Sequence, residues 1–66
     1  MIQEKRKLMN LTQEQMSQRL DISLRQYVRI DNEQSLSRKD ILKKLISELD
    51  LSNEEIGQYI REITKV

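Results

Sequence analysis

Two hexapeptides decide the fold: Leu11-Thr12-Gln13-Glu14-Gln15-Met16 and Ile22-Ser23-Leu24-Arg25-Gln26-Tyr27. Each reads apolar, hydroxyl, any, any, amide or acid, apolar. The hydroxyl of Thr12 or Ser23 can accept from the backbone N–H three residues on. The amide of Gln15 or Gln26 can reach back to the N–H of the cap, while the flanking apolar residues clip the entering chain to the first turn. This is a capping box inside a hydrophobic staple, the local signature of a helix start. The pattern returns as Leu36-Ser37-Arg38-Lys39-Asp40-Ile41 and as Leu51-Ser52-Asn53-Glu54-Glu55-Ile56. Asp40 is short for the back-reaching role, so its box is the weakest. The copies are unevenly spaced, which indicates repeated capping and not a solenoid.

These starts predict helices over 13–20, 24–32, 38–49 and 53–65, preceded by a first helix over 2–9. Asn10 suits a left-handed cap after the first helix. Asp21 and Asp50 sit at helix ends where Gly would be easier. Apolar residues keep the helical period: Met16 and Leu20; Tyr27 and Ile30; Leu42, Leu45, Ile46 and Leu49; Ile56, Tyr59, Ile60 and Ile63. The expectation is an all-α, five-helix bundle spanning 1–66 as one domain.

Composition agrees. The chain has 66 residues, a formal net charge of +1, one Gly and no Pro. Its length suits one small domain of marginal stability. Scarce Gly and Pro argue against strand-and-turn architectures. The absence of Cys and His removes disulfides, Cys/His zinc sites, thiol chemistry and imidazole acid–base chemistry. Neither metal nor cofactor is expected. No apolar run approaches the roughly 18 residues of a membrane span, and Met1 to Lys7 lacks the apolar core of a signal peptide. A cytoplasmic protein with no membrane partner is expected.

The second and third helices are joined by the short Asp21-Ile22-Ser23 turn, giving a helix-turn-helix arrangement over about 12–32. With Tyr27 and Ile30 inward, Leu24, Arg25, Val28 and Arg29 form an outward strip on helix 3. Arg suits bidentate contact with guanine, and Leu24 and Val28 could meet thymine methyls. The same strip also fits a solvated Arg face or a protein interface.

The stretch from Ile2 to Ile56 resembles Cro/repressor-type helix-turn-helix domains, the XRE family. The likeness rests on Arg6, Leu11-Thr12-Gln13-Glu14-Gln15-Met16-Ser17, Leu20-Asp21-Ile22-Ser23, Tyr27, Ile30-Asp31-Asn32, Leu42, Leu45, Leu49-Asp50-Leu51-Ser52 and Ile56. It implies a lambda-repressor-like domain that binds operator DNA as a two-fold dimer, with helix 3 reading the bases. By that resemblance Leu24, Arg25 and Arg29 fall at base-reading positions, which Val28 joins from the strip geometry. Gln13 falls where an amide contacts a phosphate at a helix N-terminus. Asn32 falls at a backbone-contacting position after helix 3. Ser23 and Gln26 at the start of helix 3, and Arg38 and Lys39 at the start of helix 4, are further backbone candidates. Arg6 and Asp31 match a structural ion pair. Asp is shorter than the Glu usual there, so a longer or water-bridged pair is expected.

Other departures concern packing. Glu33 stands where a left-handed Gly is usual. A non-Gly residue there costs on the order of 1 kcal/mol, so a reshaped turn is expected. Ser37 replaces a frequent Pro, Lys5 an apolar residue that helps seat helix 1, and Ser17 an Ala.

Charge is unevenly shared: residues 1–30 sum to +3 and residues 31–66 to −2. The basic half suits double-stranded DNA, with a palindromic operator expected; the acidic half suits solvent or a partner. Lys43 and Lys44 also fit a solvated face with pairs such as Asp40–Lys44. Helix 5 carries Ile56, Tyr59, Ile60, Ile63 and Val66, more apolar surface than a small core needs, so a homodimer contact through Ile56, Tyr59, Ile60 and Ile63 is expected. Gly57 weakens that helix but leaves room for another backbone. The leading function is a sequence-specific transcriptional repressor. The alternative is a protein-binding module of the same fold, an antitoxin or accessory subunit with a protein partner. An enzyme is not expected: Glu54, Glu55 and Glu62 are explained by solvation, and there is no phosphate loop or nucleophile–base set.

Overall fold

A computed structural model describes residues 1–34 and 36–64. Five helices follow in order: α1 (Ile2–Leu8), α2 (Gln13–Leu20), α3 (Leu24–Asp31), α4 (Lys39–Leu49) and α5 (Asn53–Thr64). The expected end of helix 5 at residue 65, and the apolar contribution of Val66, lie outside the described residues. Helix 1 is one residue shorter than expected, with Met9 as its cap, and α3 ends at Asp31 with Asn32 as its cap.

One kind of junction builds most of the fold. Asn10, Asp21, Glu33 and Asp50 have φ values of 57°, 56°, 55° and 51°. In each case this residue and the next donate back to the last turn. Asn10 N–H reaches the Lys7 carbonyl and Leu11 N–H the Arg6 carbonyl; the corresponding donors recur at Asp21–Ile22, Glu33–Gln34 and Asp50–Leu51. This is the Schellman pattern, which satisfies orphan carbonyls through a left-handed residue usually supplied by Gly. At three junctions the next residue, Leu11, Ile22 or Leu51, is apolar and packs on the core. The residue after that is the hydroxyl cap of the following helix. One apolar side chain thus closes one helix and staples the next.

Three capping boxes form. Gln15 N–H donates to Thr12 Oγ1 at 3.1 Å and Gln26 N–H to Ser23 Oγ at 3.1 Å. Glu55 N–H donates to Ser52 Oγ at 3.2 Å, and each box returns a bond to the cap N–H. The expected fourth box does not form. Helix α4 begins at Lys39 instead of 38, and its cap Arg38 makes no side-chain bond. The Ser37 hydroxyl is buried instead, as is that of Tyr59. Neither makes a well-formed hydrogen bond, although Ser37 lies near enough to pull the Tyr59 pKa down. Burial and then the charge of Glu33 outweigh that pull and raise it to about 12. The reshaped turn expected at Glu33 is also corrected. Glu33 takes up the left-handed conformation itself, and its carboxylate accepts from the Ile2 N–H at 3.4 Å.

The core gathers Ile2, Met16, Leu20, Tyr27, Ile30, Leu45, Leu49, Leu51 and Tyr59. Helix α2 packs on α3 and α4, and α1 on α3. Lys5, expected to weaken the seating of helix 1, instead pairs with Glu55 and ties α1 to α5. Arg19 and Glu48 join α2 to α4 at 3.2 Å. Asp40 and Lys44 form no ion pair among the described residues.

Gly57 lies inside α5 without a positive φ. An added Cβ would meet only Arg61 Nη1, at 3.6 Å, an ordinary contact. Gly57→Ala is therefore expected to stabilise the chain by about 0.5–1 kcal/mol through lower unfolded-state entropy. The check is a higher urea midpoint with an unchanged slope.

Candidate nucleic-acid interface

Helix α3 is held from below by a buried ionic network. The Asp31 side chain is fully buried. Its Oδ1 accepts from Arg6 Nε at 3.0 Å and from Tyr27 Oη at 2.9 Å. Its Oδ2 accepts from Arg6 Nη2 at 3.3 Å and from Gln13 Nε2 at 2.9 Å. A carboxylate offers about four acceptor sites, so this one is saturated. Arg6 Nη1 donates in addition to the Leu11 carbonyl at 2.7 Å. The expected long or water-bridged pair is thus a direct, two-pronged contact. The shorter Asp reaches because the Arg6 guanidinium is itself drawn inside.

Electrostatics follow from this arrangement. Burial alone would raise the Asp31 pKa, but hydrogen bonds from Arg6, Gln13 and Tyr27 and the Arg6 charge hold it below the usual carboxylate range. The hydrogen bond to Asp31 raises the Arg6 pKa against desolvation. Burial, then the bond to Asp31, pushes Tyr27 upward. These shifts favour the charged forms of Asp31 and Arg6 and the neutral form of Tyr27.

The network spans α1, α2 and α3, so it fixes the axis of α3 and leaves its other side outward. On that side Leu24 is 47% exposed. Arg25 and Arg29 are exposed, and Val28 is partly buried. Neither Arg forms an ion pair among the described residues. Such a strip offers two guanidinium forks and two apolar side chains along one helical face.

The backbone-contact candidates are placed less uniformly. Gln13 spends one amide proton on Asp31 and is partly buried. Ser23 and Gln26 are exposed but bonded to each other in the α3 cap. Asn32 accepts from Gln3 Nε2 at 2.9 Å. Arg38 and Lys39 are exposed at the start of α4, where the absent side-chain cap leaves first-turn N–H groups open. A groove of about 170 Å³ is lined by Arg29 and Arg38 together with Ile30, Leu36 and Ile41.

The residues offered for a dimer contact divide. Tyr59 is 0% exposed and belongs to the core, so that face can present Ile56, Ile60 and Ile63, all partly buried, but not Tyr59. Two further partners of Asp31, Gln13 and Tyr27, emerge only from the structure. For Tyr27 the signal was present, since an i, i+4 spacing brings two side chains together on a helix.

A family model described as helix-turn-helix matches residues 2–56. No curated protein and no solved structure gives a significant match.

Proposed function

The chain belongs to the Cro/repressor-type helix-turn-helix family of DNA-binding transcription regulators, and from that premise we propose that it is a small dimeric repressor of phage, plasmid or mobile-element type. In this reading α3 enters the major groove of an operator. The observation that supports it is the outward strip of α3, where exposed Arg25 and Arg29 flank Leu24 and Val28. The Arg residues would read guanines and the apolar pair would meet thymine methyls. Gln13, Ser23, Gln26, Asn32, Arg38 and Lys39 would set register through phosphates, contacts that position without specifying. A two-fold pair joined through Ile56, Ile60 and Ile63 would place two α3 helices about 34 Å apart, one turn of the duplex.

The test is selection from random duplexes at two salt concentrations. An enriched palindrome with affinity falling steeply with salt is the expected result. Retention without a motif, or none, would overturn operator reading and favour a protein partner for the strip. On the selected site, Arg25→Ala and Arg29→Ala should each cost about 1–3 kcal/mol and relax one base position. An equal loss on selected and random duplexes would mean that the Arg only touches phosphate.

A further inference from the structure

The surface carries a second patch in which apolar and charged groups alternate, of the opposite sign to the α3 strip. At the end of α1, Leu8 is 79% exposed and Met9 42% exposed. Leu8 lines a groove of about 230 Å³ between α1 and α5, together with Glu4, Lys5, Glu55, Gln58 and Glu62. Lys5 is already neutralised by Glu55. Among the described residues Glu4 and Glu62 have no cationic partner, and Glu62 accepts only from Gln58. Met1 completes the lining, its amino group paired with Glu33. Among the described residues the groove therefore holds two acidic side chains outside any ion pair beside the exposed Leu8, with Met9 next in the chain.

The α3 strip is the complement of this groove: two Arg that form no ion pair among the described residues, beside Leu24, itself 47% exposed, and Val28. Glu55, Gln58 and Glu62 lie on a different face of α5 from Ile56, Ile60 and Ile63, as the helical period requires. The groove is thus separate from the face offered for a two-fold dimer.

We propose that the α1–α5 groove is a docking site for the α3 strip of a second copy of this chain. Apolar burial of Leu8 and Met9 against Leu24 and Val28 supplies attraction, and Glu4 and Glu62 against Arg25 and Arg29 supply register. The contact joins two unlike surfaces of the chain, so it closes as a two-fold pair where each copy docks on the other at once and propagates from copy to copy where only one of the two contacts is made. A docked strip is hidden, which makes the exposed reading surface scarcer as concentration rises. The inference rests on the chemistry of the strip and stands whether or not the strip reads DNA.

The experiment is sedimentation of the full chain and two variants, each first shown to be folded by circular dichroism. The parent should increase in average mass with concentration at low salt and lose that increase at about 0.5 M salt, where the Debye length falls to a few ångströms. Glu4→Lys/Glu62→Lys disables the groove and keeps the strip. Arg25→Ala/Arg29→Ala disables the strip and keeps the groove. Each variant alone should lose the salt-sensitive association, and an equimolar mixture should form a 1:1 complex. If both variants associate as the parent does, or the mixture stays apart, head-to-tail docking is wrong. DNA selection on the parent is scored separately, so failure of one reading leaves the other standing.

Discussion

Asp31→Ala is expected to cost about 3–5 kcal/mol, the range for breaking a buried ion pair by removing one partner. Domains of this size are held by only about 0.05–0.15 kcal/mol per residue, so this loss is a large fraction of the total stability. The cause is not only the loss of the Arg6 contact. Removing Asp31 leaves the Arg6 Nε, the Tyr27 hydroxyl and the Gln13 amide without their acceptor inside the protein, and buried donors without partners are costly. Urea denaturation checks this directly. Replacing Arg6 and Asp31 together with Met and Leu should cost less than Asp31→Ala alone, because no charge is then stranded.

The same residue sets an acid limit. Its folded pKa is depressed, so its stabilisation is complete above the unfolded value near 3.8. It is lost as pH falls below that value and through the folded pKa. Asp31→Asn should be less stable at neutral pH and show a flatter loss of stability in acid.

Tyr59→Ala should cost about 3–5 kcal/mol, as for other large buried aromatic residues cut to Ala. The ring is fully buried where α5 meets the core, and its loss leaves a cavity. Tyr59→Phe should lie within about 1 kcal/mol of the parent, because the hydroxyl removed has no well-formed hydrogen bond. Tyr27→Phe removes a bond to a charged acceptor and should cost about 1.5–3 kcal/mol. Thermal melting separates these cases, since 1 kcal/mol moves Tm by about 4–8 °C in a domain this small. If Tyr59→Phe proved as costly as Tyr27→Phe, Ser37 and Tyr59 would have to be bonded.

Local chemistry was legible in the sequence and non-local competition was not. The boxes at Thr12, Ser23 and Ser52 involve residues three apart, and they form as read. Ser37 has the same local signal, but its hydroxyl is taken inward towards Tyr59, more than twenty residues away. Glu33 carries an unfavourable local preference, yet its backbone bond to Ile30, that of Gln34 to Arg29 and its side-chain bond to Ile2 hold it left-handed. The Arg6–Asp31 pair was legible through family resemblance, while its directness was not, because reach depends on how far Arg6 is drawn into the fold. The outward strip on α3 was readable from periodicity, since Tyr27 and Ile30 had to point inward. Tyr59 shares a helical stripe with three isoleucines yet lies in the core and not on the dimer face. Periodicity locates a face but does not say which member of it lies deepest.

The Asp31 network also bears on modularity. The two helices of the motif look like a portable cassette, with a three-residue junction and self-contained caps. Yet the counter-charge for Asp31 comes from α1. A graft of residues 12–32 into another scaffold would carry a desolvated carboxylate with its cation left behind. Any transplant of this helix pair must bring Arg6, or a cation in its place, on a helix that precedes the pair.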